Sequence, residues 1–127
     1  MPISTLDATA TTLVANKNCF VLIDIEGAEY GCLKGSKNLL SSNMKNLFMV
    51  EIHVGEHQPT RIDINPKLFQ TFKLFSNHGY SAYTADRKLR KIELSEVKEI
   101  VESRVNTLST HNFIFIKNNF SLSDFGL

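Results

Sequence analysis

Residues 20–29 read Phe20-Val21-Leu22-Ile23-Asp24-Ile25-Glu26-Gly27-Ala28-Glu29, an apolar run that breaks into three carboxylates around one glycine. A short apolar run of this kind predicts a central strand of a parallel sheet. Such strands are covered on both faces and lose the alternation of polar and apolar residues. Continued strand periodicity would then set Asp24 and Glu26 on one face. Gly27 allows a tight exit, and Ala28-Glu29-Tyr30 begins a helix. Ligands of open α/β sheets bind beyond the carboxyl ends of strands, which makes this junction the first place to look for chemistry. The same residues equally serve to end a strand and cap the next helix.

Working outward, the pattern repeats. Leu47-Phe48-Met49-Val50 is a second apolar run, and it ends in Glu51, Ile52 and His53. The polar segment Val54 to Asp63 reads as a loop over the strand ends. Asn65-Pro66 marks a helix start, with Leu68, Phe69, Phe72 and Phe75 at helical spacing as core. Tyr80 to Ala85 reads as a third strand and Leu89 to Ile92 as an alternating, exposed one. A helix opens at Ser95 with Val97, Ile100 and Val101 inward, and Asn112 to Lys117 forms the last strand. Upstream, Ile3 to Asn18 suits a short helix capped by Thr5 or Asp7. The alternation of strand and helix gives an α/β fold, read as a single domain over residues 1–127.

The segment Leu22 to Ser36, LIDIEGAEYGCLKGS, resembles the FkbM family of S-adenosylmethionine-dependent methyltransferases. That family carries an Asp-x-Glu-Gly-x-Glu signature followed by a Leu-x-Gly turn. Thr5-Leu6-Asp7, Glu51-Ile52-His53 and His78-Gly79-Tyr80 agree with the family in order and spacing. Two departures stand out: Leu22 occupies the place of a usual lysine, and no glycine-rich strand-to-helix turn precedes the signature. The resemblance therefore implies the C-terminal portion of a truncated class I methyltransferase-like (Rossmann-like) three-layer sandwich. Its mixed sheet would end in an antiparallel hairpin, with the last strand beside the Glu51-Ile52-His53 strand. It implies O-methyl transfer from S-adenosylmethionine to a small-molecule or sugar hydroxyl, but a chain lacking that turn is expected to bind the cofactor weakly or not at all and to be a fragment inactive on its own.

Parallel neighbouring strands would bring Asp24, Glu26, Glu51 and His53 to one sheet edge as catalytic candidates. His53 or Asp24 would be the base and Glu51 its orienter. Asp24 and Glu26 are also placed beside the cofactor, and Glu29 and His57 on the substrate side. Two other readings stay open: a metal-dependent hydrolase using the acidic and histidine cluster, although no metal site is assigned, and a non-catalytic interaction module.

Composition narrows the partners. Fourteen basic residues against thirteen acidic ones argue against nucleic acid or an anionic membrane surface. No apolar run approaches bilayer length, and a cytoplasmic location is expected. Cys19 and Cys32 lack metal or redox spacing and are expected as buried free thiols. With no strand upstream of Phe20, that strand is also expected at the sheet's edge. It would then favour a homodimer unless the segment Ile3 to Val14 covers it.

Overall fold

The structure is a computed structural model that describes residues 4–127. In chain order the elements are α1 (Leu6–Val14), β1 (Phe20–Ile23), α2 (Glu29–Lys34), α3 (Lys37–Ser41), β2 (Leu47–Glu51), α4 (Leu68–Asn77), β3 (Tyr80–Thr84), β4 (Lys91–Ile92), α5 (Leu94–Ser103) and β5 (Asn112–Lys117). They form a mixed, open sheet in the order β1-β2-β5-β3-β4. This is an α/β architecture of the Rossmann-like kind. β1 and β2 run parallel with Ile23 beside Val50, whereas β5 enters antiparallel between β2 and β3. The antiparallel arrangement expected of the last strands, and the insertion of NFIFIK beside Glu51, are both present.

Period-two alternation divides the sheet's faces cleanly. Phe48, Val50, Phe113, Phe115, Tyr80 and Ala82 face one side, where apolar residues of all the α-helices join them in one cluster. Phe75 stacks on Phe115 at 3.8 Å between centroids, and Phe48 meets both Phe75 and Tyr80 edge-on. Leu47, Ile114 and Ile116 face the other side under a thinner third layer made by Leu122 and Phe125 of a C-terminal 3-10 turn.

Four expectations need correction. β1 is not covered on both faces: it lies at the sheet's edge, and the thin third layer leaves Phe20 65% and Leu22 61% exposed. Asp24 and Glu26 do not share a strand face, because the strand ends at Ile23 and the chain turns at once. Glu26 and Gly27 are both left-handed, at φ 48° and 100°, and a glycine bears the second of these without strain. The helix signalled by Asn65-Pro66 starts two residues later, at Leu68, after a turn. Ile92, expected exposed, is buried beneath α5 in a strand of only two residues.

Upstream, Thr5 caps α1 by accepting from the Ala8 N–H at 3.1 Å. Asp7 does different work, accepting from the Asn38 and Leu39 N–H groups and so capping α3. α1 thereby packs on the helical layer instead of crossing the β1 edge; Ile3, the first residue of the segment expected to cover it, lies outside the described residues. Cys19 and Cys32 are free and half-buried. Burial, with Glu29 nearby, pushes the Cys32 thiol up, which keeps it protonated and unreactive.

Candidate functional site

Because β1 and β2 are parallel, their carboxyl ends open on the same edge of the sheet. The loop from Val54 to Ile64 arches over that edge and closes a cleft of about 580 Å³. Glu26 and Gly27 line it from the β1 turn, Glu51 and His53 from the end of β2, His57 from the loop, and Asn65 and Lys67 from the approach to α4. A second concavity of about 460 Å³, along β3 and β4, has no histidine in its lining.

At the centre of the cleft His53 Nε2 lies 2.9 Å from Glu51 Oε1, and both side chains are partly buried. A carboxylate only accepts, so Nε2 carries the proton and donates it to Glu51. In the neutral imidazole that leaves the lone pair on His53 Nδ1. His111 Nε2 stands 3.7 Å from the same Glu51 oxygen, and the His57 ring lies 4.8 Å from that of His53. Two imidazoles thus stand against one carboxylate, and a third packs beside His53.

The backbone that carries these groups is tightly specified. Asn65 is buried; its Nδ2 donates to the His53 carbonyl at 2.9 Å while its Oδ1 accepts from the Lys67 N–H at 2.8 Å. Glu56 turns its carboxylate back onto the Val54 and Gly55 N–H groups at 3.0 and 3.1 Å. Backbone donors, its own first and then those of Gly55 and Val54, hold the Glu56 carboxyl below the usual carboxylate range, aided by the charge of His111. A Cβ on Gly55 would sit 2.8 Å from the Asp63 carbonyl, so the loop closes only with glycine there. Glu26, His57 and Arg61 all hold positive φ without being glycine, and strain of this kind gathers at functional loops.

Of the residues singled out in the sequence, Glu26, Glu51, His53 and His57 meet in this cleft. Asp24 sits at the same end of the sheet, one residue past the β1–β2 register, but is exposed and outside the lining. Glu29 is not free for a substrate: it is 4% exposed, and its Oε1 accepts from the Gly27 N–H at 2.8 Å, fixing the turn. His111 was missed, although the expected position of NFIFIK beside Glu51 already implied that the residue before Asn112 would lie at this edge.

A family model described as Methyltransferase FkbM domain matches residues 2–82, which include the signature turn, β2, the loop and Asn65. The chain belongs to the FkbM methyltransferase family. Comparisons with curated proteins and with solved structures find no match. Within this FkbM domain, every lining residue named above falls inside the matched region, whereas His111, which stands beside Glu51 outside the lining, comes from beyond it, one residue before β5.

FkbM methyltransferases draw their methyl group from S-adenosylmethionine. Toward that molecule the cleft supplies two carboxylates, Glu26 and Glu51, of the sign its cationic sulfur and amino group would need, and the space beside Gly27 is open. Among the described residues the lining holds no phenylalanine, tyrosine or tryptophan ring and no glycine-rich turn to cradle adenosine. Among them, too, no group of three or more His, Cys, Asp and Glu is arranged to hold a metal ion. No helix of the described residues is long and apolar enough to cross a membrane.

Proposed function

We propose that the cleft is the acceptor side of S-adenosylmethionine-dependent O-methyl transfer to a hydroxyl of a small molecule or sugar. The observation that carries this is the His53–Glu51 pair at 2.9 Å, opening on a cleft in an FkbM domain. Bound S-adenosylmethionine supplies an electrophilic methyl group on a cationic sulfur. A hydroxyl is a poor nucleophile until its proton leaves, and on this reading His53 Nδ1, the nitrogen not bonded to Glu51, takes it. Glu51 holds the imidazole in the productive tautomer and balances the positive charge that His53 gains. Glu26 faces the cationic donor, and His57 with Lys67 borders the acceptor.

The test is transfer of labelled methyl from S-adenosylmethionine, at high concentration, to a panel of hydroxyl-bearing small molecules and sugars. The native chain transfers label, and His53→Asn, with unchanged circular dichroism, loses about a hundredfold or more, the usual worth of a positioned base. Transfer that survives His53→Asn contradicts the assignment of the base. No transfer to any acceptor favours a non-catalytic module.

A further inference from the structure

Two imidazoles address a single oxygen of Glu51: His53 Nε2 lies 2.9 Å from Oε1, and His111 Nε2 lies 3.7 Å from it. The first contact is a hydrogen bond. The second is too long for one, so it acts through charge, and only once His111 is protonated. The backbone keeps His111 in place. It stands one residue before β5, and its carbonyl accepts at 2.7 Å from the N–H of Ile52, the residue between Glu51 and His53. Its ring meets that of His53 edge-on, 5.5 Å between centroids.

The titratable groups around His111 come from each neighbouring segment. Glu51 ends β2 and His53 follows it, with His57 packed on His53 from the loop. Glu56 belongs to the same loop, and the charge of His111 helps to hold its carboxyl low. Past β3, Asp86 directs its carboxylate to Thr84, to Ser109 and to the N–H groups of Lys88 and Leu89. Of these, only Glu51 is shared with the candidate base. A proton on either imidazole draws on the charge of Glu51 and resists a proton on the other, so the two titrate as a coupled pair. We infer that His111 is a positioning residue for His53, setting through the shared Glu51 carboxylate how readily His53 takes a proton. This rests on the reading of His53 as the base. A neutral His111 leaves Glu51 to balance the imidazolium that forms on His53; a protonated His111 takes that charge away, although it stands outside the lining of the cleft.

The ring signals of the histidines in the labelled full chain, followed against pH with neither donor nor acceptor present, test this. Coupling is reciprocal: His111→Gln raises the midpoint of His53, His53→Gln raises that of His111, and whichever residue titrates second in the native chain shows the larger rise. The two rises together come to about half a pH unit to two units, as unit charges 5.5 Å apart give between bulk-water and protein-surface screening. Glu51→Gln, a separate arm, lowers both midpoints, which a histidine with a merely structural role would not show. Circular dichroism matching the native chain accompanies each variant. Midpoints that ignore the loss of the other imidazole overturn the inference, and so does a His111 midpoint indifferent to Glu51→Gln. Because no methyl transfer is involved, an inactive chain leaves these shifts in place, and missing shifts leave the transfer assay standing.

Discussion

Asn65 uses both ends of its side-chain amide, one on the His53 carbonyl and the other on the Lys67 N–H. A single buried residue therefore joins the candidate base to the approach of α4. Asn65→Ala should cost about 1–2 kcal/mol as a lost cap and an unpaired carbonyl. It should also loosen the cleft. Chemical denaturation measures the first effect, and faster exchange of the Val54–Gly55 amides shows the second. Asn65 was legible only as a helix start, because a sequence shows the local half of a side chain's bonding and hides the half that reaches across space. Glu29 misled for a different reason: its acidity suggested a ligand, while its bond is a local one, to the Gly27 N–H two residues away.

Among the elements, the turn from β3 to β4 is organised by Asp86. The Asp86 carboxylate accepts from Thr84 Oγ1 at 2.8 Å, from the Lys88 and Leu89 N–H groups, and from Ser109 Oγ at 3.2 Å. These bonds, that of Thr84 foremost, hold its carboxyl below the ordinary range. A lowered folded-state pKa means stability that is present above the unfolded carboxylate value, about 3.9, and is lost as pH falls through the folded value. Hydrogen exchange of the Leu89 and Arg90 amides should therefore lose protection on acidification below about pH 4, after correction for intrinsic rates. Asp86→Asn should remove most of that pH dependence. The strands and helices were readable from periodicity, and the place of β5 followed from the family pattern. The exposure of β1 was not, because an apolar run looks the same whether a second layer covers it or not.

Across the whole molecule, one aromatic cluster ties the helical layer to the sheet. Phe75 is fully buried, stacked on Phe115 and edge-on to Phe48 and Tyr80. Phe75→Ala should cost about 3–5 kcal/mol, a large share of the roughly 5–15 kcal/mol available to a domain of this size. Calorimetry should show a strongly lowered melting temperature, whereas a change near zero would mean that the cluster is not the core. That core supports parallel β1 and β2 and so holds the Glu26 turn beside the end of β2. The loop then brings His57 beside His53, and the residue before β5, His111, reaches Glu51. The functional reading depends in the end on which nitrogen of His53 bears its proton. Nitrogen-15 spectra of the histidine side chains in labelled protein read this directly. The account predicts His53 with a protonated Nε2 and a bare Nδ1; a proton on Nδ1 would leave no base in the cleft at that position and would contradict it.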